Sequence, residues 1–335
     1  MESSSEEASC STGRIWITWE TQRRNQNLAK AFNAQFIQFD YAANWILRYL
    51  VLPFKTISAY KKTRPRLIFS QNPSLVLALL TILYGKFKGI KIIVDSHNAG
   101  IRPLNGKKWI LNVISNYIIR HADITIVTND KLATLVKSKG GRPFVLPDRI
   151  PDFEGCPPDK LDLRGRFNVF FICTFSNDEP YLEVVRAGKL LDKNTVIYIS
   201  GNPKNHMEKM KGEIPDNVVM TGYLPENEYI RMLFSCDLIL DLTTREDCLV
   251  CGAYEALGIG KSMVLSDTKV NREYFRKGVL YTDNSARDTA DKIAEAMMHI
   301  EELTISANEL KKELMDGWEK MRAELEDMLT RRTGI

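Results

Sequence analysis

Short apolar runs and amphipathic segments alternate along almost the whole chain. Runs such as Lys91–Asp95, Ala122–Val127 and Thr195–Ser200 have the length and composition of buried strands. Segments between the runs, such as Asp130–Ser138, repeat their apolar residues at helical spacing. Regular alternation of strand and helix is typical of parallel sheets with helices on both faces. The pattern therefore predicts an α/β protein with doubly wound, Rossmann-like sheets.

The alternation is interrupted once, by a proline-rich stretch. Residues 147–158 contain Pro147, Pro151, Pro157 and Pro158, a density that excludes regular structure. Since a domain usually has roughly 100–200 residues, a chain of 335 also favours two domains. The predicted division is a disordered tail 1–11, an N-terminal domain 12–146, a linker 147–163, a C-terminal domain 164–310 and a C-terminal helix 311–335 that packs back toward the N-terminal domain.

The most informative stretch is Leu238–Gly260. It predicts a buried strand at Leu238–Leu242, a turn with two acids and capping residues at Thr243–Asp247, and a helix that opens near Gly252 and contains Glu255. Ligands of open α/β sheets bind where the carboxyl ends of strands meet helix N-termini. Backbone N–H groups at this helix start are therefore expected to be free for a phosphate.

A second polar cluster, Asp95, His97 and Asn98, follows a strand of the first half. Residues two apart on an extended chain point the same way, so either the carboxylate or the imidazole is a candidate general base. Alternatively, Asp95 and Asn98 only shape the loop through caps and Asx turns. Arg23 and Arg24, in a polar loop after the first strand, are candidates for holding an anion, or else are solvated surface residues.

Composition narrows the class of protein. A net charge of +4 gives no excess of the kind that nucleic-acid binding requires. Six cysteines without a framework of paired spacings indicate a reducing, cytoplasmic compartment. The polar, acidic N-terminus does not have the pattern of a signal peptide. No apolar run reaches the roughly 18 residues of a membrane-spanning helix.

The charge is unevenly distributed. Residues 44–66 combine apolar and aromatic side chains with arginines and lysines and contain no acid. A basic amphipathic helix of this kind can lie on an anionic membrane surface. An ordinary domain helix with a solvated charged face explains the pattern equally well. Peripheral attachment to the inner face of a membrane therefore stays an open alternative to a purely cytoplasmic location.

With these elements placed, the stretch from Asp241 to Glu273 resembles the donor-site signature of GT-B glycosyltransferases of the large family 4. In that family an acid and a glutamate frame seven residues, as Asp247 and Glu255 do here, with Asp where Glu is usual. The resemblance implies two Rossmann-like domains facing across a cleft, the first binding the acceptor and the second a UDP- or GDP-sugar. It implies transfer of a hexose to a hydroxyl of a lipid-linked or polysaccharide acceptor, with no cofactor, no metal and no nucleic-acid partner.

The resemblance also implies roles for single residues. Glu255 would hold the ribose, Asp247 and neighbouring amides the sugar and diphosphate, and Gly222-Tyr223-Leu224 would flank the base. Asp95 and His97 are the expected catalytic residues. The expected donor-binding residues are Thr174, Ser176, Asn177, Gly201, Gly222, Tyr223, Leu224, Thr244, Glu246, Asp247, Cys248, Gly252 and Glu255, and those for acceptor or phosphate are Arg23, Arg24 and Asn98.

A narrower likeness rests on three short patches: Asp95-x-His97-Asn98-x-Gly100, the Arg23-Arg24 loop and Phe175–Pro180. These are similar to the β-1,4-mannosyltransferases that act on dolichol-linked chitobiose, a group that is inverting and membrane-associated.

The chain also departs from the family pattern. The Arg and Lys that usually grip the diphosphate are replaced by Ser176, Asn177 and Asp178. Backbone amides or Arg245, or the two arginines after the first strand, must then meet the phosphate charge. A sugar epimerase of the same fold and a non-catalytic scaffold therefore stay as alternatives. Cys248-x-x-Cys251 has no nearby partner cysteine or histidine, which makes it a poor zinc site.

Overall fold

A computed structural model of the chain describes residues 13–40, 45–153, 159–204 and 206–333. Strands and helices alternate through these residues, which confirms the predicted α/β class. The tail predicted at 1–11 lies outside the described residues. In the described ranges, no helix is both long enough and apolar enough to cross a membrane.

The chain divides into two compact units. The first comprises Met1–Arg149 together with Trp318–Ile335, and the second comprises Ile150–Gly317. Within the segment predicted as a linker, Ile150 is buried in the core of the second unit, and 154–158 lie outside the described residues.

The first unit is built on a sheet of six parallel strands. Its elements are β1 (Arg14–Thr18), α1 (Arg23–Ala31), β2 (Gln35–Gln38), α2 (Trp45–Thr63), β3 (Leu67–Asn72), α3 (Leu75–Lys88), β4 (Lys91–Ser96), α4 (Asn98–Ile101), a 3₁₀ turn (Pro103–Gly106), α5 (Trp109–His121), β5 (Ile124–Val127), α6 (Asp130–Ser138) and β6 (Pro143–Val145).

The second unit contains another sheet of six parallel strands. Its elements are β7 (Phe167–Phe171), α7 (Tyr181–Gly188), β8 (Thr195–Ser200), α8 (Met207–Met210), β9 (Val218–Gly222), α9 (Glu226–Ser235), β10 (Leu238–Asp241), α10 (Cys251–Gly258), β11 (Met263–Ser266), α11 (Lys269–Tyr274), β12 (Val279–Thr282), α12 (Ala286–Met298) and α13 (Ile300–Thr333), which continues into the first unit.

Both sheets have a point where the strand order reverses. The first sheet has the order β2-β1-β3-β4-β5-β6, so the reversal lies between β1 and β3. The second has the order β12-β11-β10-β7-β8-β9, the classical Rossmann arrangement, with the reversal between β7 and β10. Ligands of open α/β sheets bind beyond the carboxyl ends of the strands at this switch point. A ligand site is therefore expected at the loops after β7 and β10.

Helices cover both faces of the first sheet. On one face α2, α3 and α5 bury residues such as Leu52, Ile82 and Ile118 against the strands. On the other face α1 and the end of α13 bury Leu28 and Trp318. Each unit thus has its own hydrophobic core, which holds the carboxyl ends of its strands in fixed positions.

The structure differs from the predicted elements at three points. Helix α1 begins at Arg23, within the stretch predicted as a loop, because the buried residues of its first turn are the polar Arg24 and Asn25, which do not extend the apolar pattern of the helix. The C-terminal helix expected over 311–335 begins earlier in the structure, at Ile300. Helices α4 and α8, of four residues each, are too short to produce a periodic pattern.

Candidate functional site

Asp178 connects the two loops at the switch point of the second sheet. Its carboxylate accepts hydrogen bonds from Thr243 Oγ1 (3.0 Å) and from Arg245 (3.0 Å). Its backbone oxygen accepts a third from the N–H of Thr244 at 2.7 Å. These bonds hold the loop after β7 against the loop after β10. The Arg245 side chain is 59% exposed, so it is a cation that a ligand at this edge can reach.

Glu179 occupies the concave backbone of the loop after β7. One carboxylate oxygen accepts the N–H of Thr174 at 2.9 Å and that of Ser176 at 2.8 Å. The other accepts the Thr174 hydroxyl at 3.0 Å. Phe175, between them, has φ +61, which curls the backbone so that its N–H groups converge. Converging N–H groups are an anion site, and here the anion is the protein's own carboxylate.

Asp241, the last residue of β10, fills a second position of this kind. Its Oδ2 accepts the N–H of Gly252 at 2.7 Å, in the first turn of α10. A Cβ on Gly252 would lie 2.5 Å from that oxygen, so only glycine allows this approach. The expectation that this helix start offers free N–H groups and is capped from Thr243–Asp247 is therefore wrong at Gly252, where Asp241 supplies the cap.

Burial and neighbouring carboxylates raise the pKa of Asp241. The side chain is buried, which penalises the charged form. The hydrogen bond from Gly252 opposes this rise, and repulsion by Glu179, Glu255 and Asp178 adds to it, so that the pKa lies well above its usual value. Four carboxyl groups are thus gathered at this edge of the sheet, and for Asp241 the surroundings favour the protonated form.

Glu255 lies on α10, where the family resemblance expects the residue that holds a ribose. Its side chain is half-buried and accepts a hydrogen bond from the hydroxyl of Tyr229 on α9. Tyr229 itself packs against Phe170 of β7, with ring centroids 5.6 Å apart. The sheet core thus fixes Tyr229, and Tyr229 in turn orients the carboxylate.

Strands β8 and β9 end at the same edge of the second sheet as β7 and β10. The N–H of Gly201 donates to the Gly222 oxygen at 3.0 Å, and both glycines have positive φ. A Cβ on Gly201 would lie 2.4 Å from the carbonyl oxygen of Cys173, so the chain can pass there only as glycine. Tyr223 follows and is 84% exposed, while Leu224 packs against the core.

The remaining residues expected at the donor fall on the same two loops. Asn177 is exposed in the loop after β7. Thr244 and Glu246 are exposed in the loop after β10, and Asp247 and Cys248 are half-buried there. The structure therefore brings the predicted donor residues together at one sheet edge, although Asp247 precedes α10 rather than sharing its helix with Glu255.

In the first unit, Arg24 has a different role from the one expected. Its guanidinium is buried and bonds Asp95 at 2.8 Å, Asp148 at 2.6 Å and the Leu146 oxygen at 2.9 Å. With these donors engaged, Arg24 is a structural cation and is not available to a phosphate or acceptor. Arg23 is the first residue of α1, and its side chain lies outside the described part of the structure.

Asp95 is the buried partner of this arginine. Burial alone would raise the pKa of Asp95, but the charge and hydrogen bonds of Arg24 outweigh it, and the pKa lies below its usual value. His97 is partly exposed, with Nε2 at 3.9 Å from Asp95 Oδ2. The two residues predicted to point the same way are thus close together. Asn98 begins α4, and Gly100 of that helix packs directly on Asn72.

Four acidic or phenolic residues of the second edge did not figure among the expected ligands: Asp178, Glu179, Asp241 and Tyr229. A signal was present for Asp178, Glu179 and Asp241, since each stands at or just after the carboxyl end of a buried strand. Tyr229 carried no such signal, because its place beside Glu255 depends on how α9 packs on β7. Among the described residues, no group of three or more His, Cys, Asp or Glu side chains is arranged to hold a metal ion.

The fold is shared with solved structures at low sequence identity. HepE from Anabaena, in complex with UDP and glucose, matches with a TM-score of 0.73 at 12% identity, covering 95% of this chain and 99% of that chain. Sucrose-phosphate synthase from Thermosynechococcus elongatus gives 0.76 at 11% identity, covering 96% and 99%. A putative UDP-N-acetylglucosamine 2-epimerase from Listeria monocytogenes gives 0.61 at 11%, covering 88% and 90%.

These similarities extend over nearly the whole of each chain and confirm the predicted GT-B fold, with its two Rossmann-like units. No model of a protein family matches the sequence, and neither does any curated protein.

Proposed function

We propose that this protein is a glycosyltransferase that moves a hexose from a UDP- or GDP-sugar to a hydroxyl of a lipid-linked or polysaccharide acceptor. The observation that carries the proposal is the convergence of the predicted donor residues at the switch point of the second sheet. A structural relative that covers nearly the full chain was solved with UDP and glucose, which supports the same class of donor.

In this proposal Glu255, oriented by Tyr229, accepts hydrogen bonds from the ribose hydroxyls. Gly222 and Tyr223 flank the base, since Gly222 has open space above it and the Tyr223 ring is exposed. Arg245 and the backbone of the loop after β7 meet the diphosphate. The proposal assigns no metal or cofactor, so the protein's own donors stabilise the departing diphosphate.

For an inverting transfer, the acceptor oxygen bonds to the anomeric carbon, the bond from that carbon to the diphosphate oxygen breaks, and a base takes the acceptor proton. Of the two expected catalytic residues, His97 suits the base better, because Asp95 is held ionised in its pair with Arg24. An imidazole that turns its Nε2–H toward Asp95 leaves Nδ1 able to accept a proton. Asp95 then positions His97.

An epimerase acting on a UDP-sugar is a second candidate, because one of the structural relatives is a putative enzyme of that kind. An epimerase has no acceptor, so the two functions differ in what happens to a donor incubated alone. The self-occupied anion positions at Glu179 and Asp241 also keep a non-catalytic scaffold among the alternatives.

Thermal unfolding in the presence of nucleotides tests the donor site. UDP or GDP should raise the melting temperature and uridine or guanosine should not, since a ligand at about 100 times its Kd adds about 2.7 kcal/mol. Glu255→Gln should abolish the shift. Glu183→Gln, which removes a carboxylate paired with Arg186 on α7, is the matched control and should retain it. No shift with any nucleotide contradicts the proposal.

Turnover distinguishes the candidate reactions. With donor and acceptor, His97→Ala should lose transfer while keeping the nucleotide-induced thermal shift. Formation of an epimeric UDP-sugar without acceptor, followed by NMR, would instead identify the epimerase. Full transfer by His97→Ala would rule out this residue as the base.

A further inference from the structure

The exposed large apolar side chains of the first unit are confined to one helical layer. They lie on α2, α3, α5 and the turn before α5, among the residues that the structure describes. The most exposed are Phe54 of α2, Phe87 of α3 and Trp109 of α5, at 79%, 81% and 73%. Helix α3 packs against both α2 and α5, so the three helices form one continuous surface.

The opposite layer is different. In the described parts of α1 and of α13 from Trp318 onward, no large apolar side chain is exposed. The apolar surface is therefore a property of one face and not of the unit as a whole. Soluble monomers rarely expose apolar surface of this kind without an interaction that uses it.

Positive charge is concentrated in the same part of the sequence. Residues 41–122 contain thirteen lysines and arginines and a single acid, Asp95, which is buried and paired with Arg24. The whole chain carries only +4, so the rest of the molecule is net negative. The charge asymmetry therefore points to a partner of negative charge for this stretch.

The lysines stand directly beside the exposed rings. Lys55 follows Phe54, Lys86 and Lys88 flank Phe87, and Lys107 and Lys108 precede Trp109, all of them exposed. The Lys88 ammonium lies 5.0 Å from the centre of the Phe87 ring. Aromatic rings that enter the boundary between headgroups and acyl chains, next to lysines that meet lipid phosphates, are the elements of interfacial membrane binding.

We infer that this apolar–basic face, defined by Phe54, Phe87, Trp109 and their neighbouring lysines, docks on a bilayer rich in anionic phospholipid. A second copy of the chain would bring two sets of lysines together, which charge repulsion opposes. An anionic lipid surface satisfies both the rings and the charges. The inference goes beyond the proposed function and does not depend on which donor, if any, the second unit binds.

Flotation of the full chain with vesicles tests the charge. We expect binding to vesicles of phosphatidylcholine with phosphatidylglycerol, and little to phosphatidylcholine alone. Lys107→Gln with Lys108→Gln, the exposed pair that precedes Trp109, should lower the partition coefficient about 30-fold at low salt, since each lysine near such a surface is worth about a factor of five. Lys269→Gln with Arg287→Gln, exposed on the second unit, is the matched control and should bind normally.

A second pair tests the rings. Phe54→Ser with Phe87→Ser should weaken flotation by about tenfold or more, because the apolar contribution is lost while the charge is kept. Met298→Ser with Ile305→Ser, also exposed but on the second unit, should not. Brominated lipids should quench tryptophan fluorescence, and Trp109→Phe should reduce this quenching while flotation persists.

Several results would overturn the inference. They are the absence of flotation with anionic vesicles, equal binding to phosphatidylcholine alone, or binding that neither pair of substitutions weakens. A concentration-dependent dimer that Phe54→Ser with Phe87→Ser dissolves would identify a second copy as the occupant instead.

Discussion

At the scale of single residues, Glu179 is the side chain that most directly opposes a diphosphate. It accepts the two N–H groups of Thr174 and Ser176, which converge at the switch point. A phosphate can use those N–H groups only after the carboxylate has moved away. Glu179→Gln should therefore tighten UDP or GDP binding about fivefold, because removing a nearby like charge is worth about 1 kcal/mol. Isothermal titration calorimetry gives the change in Kd directly.

The neighbouring acid on α7 separates this local effect from a change in net charge. Glu183→Gln alters the net charge equally but leaves the loop amides in place, so its Kd should match that of the unaltered protein. Weaker binding by Glu179→Gln would mean that the carboxylate serves to shape the loop for the ligand. The Glu179 carboxylate would then not be competing with the diphosphate for the N–H groups of the loop.

Asp241 sets a pH dependence of stability. Burial and three neighbouring carboxylates raise its pKa in the folded state. The folded protein therefore holds this proton more tightly than the unfolded chain, whose Asp has a pKa of about 3.9. Its contribution to stability is fully present below that pH and is lost as the pH rises through the folded pKa. Asp241→Asn should thus raise the melting temperature at pH 7–8, by about 2–4 °C per kcal/mol gained.

Measuring the stability of Asp241→Asn at several pH values shows whether the raised pKa of Asp241 is the cause of the gain. Stability gained by Asp241→Asn should shrink toward zero as the pH falls to about 4, measured by calorimetry at several pH values. Asp267→Asn is the control, because its hydrogen bond with Arg272 holds the pKa of Asp267 below its usual value. That variant should gain nothing at neutral pH. A pH-independent gain for Asp241→Asn would assign the effect to packing instead.

At the scale of elements, the sequence was sufficient to predict a strand or helix wherever the apolar periodicity matches the buried positions. The strand at Leu238–Asp241 and the helix containing Glu255 were expected from the pattern and are present as β10 and α10. Helix α1 was placed too late because Arg24 and Asn25 are buried by hydrogen bonding, which a hydrophobic pattern does not register. Buried polar residues therefore account for the error in this predicted boundary.

The hydrogen bonds within the site could not be predicted from the sequence for a related reason. The residue types and the sheet edge at which they gather were predictable, because parallel strands end at one edge. Which N–H group is paired with which carboxylate was not. Asp241 reaches Gly252 across eleven positions, and Glu179 turns back to Thr174 across five, through backbone conformations such as that of Phe175 that no apolar pattern encodes.

At the scale of the whole molecule, the chain returns to its first unit at the end. Trp318 is buried in the core of that unit beside Leu28 and Phe69, and its indole N–H donates to the Pro147 oxygen at 3.1 Å. The Arg149 guanidinium lies over the ring at 5.6 Å. A residue far from the first unit in sequence therefore closes its core, so the first unit needs the end of the chain to be complete.

Trp318→Ala tests this arrangement. Loss of a fully buried tryptophan typically costs about 3–5 kcal/mol, and the cost should fall on the first unit. Hydrogen exchange followed by mass spectrometry should show protection lost in β1, β3 and β4, while β7, β8 and β10 keep theirs. Met315→Ala, one turn earlier on the same helix and 40% exposed, is the control and should leave both units protected. Equal loss of protection in both units would show that they unfold as one, and unchanged protection in the first would show that Trp318 is dispensable to its core.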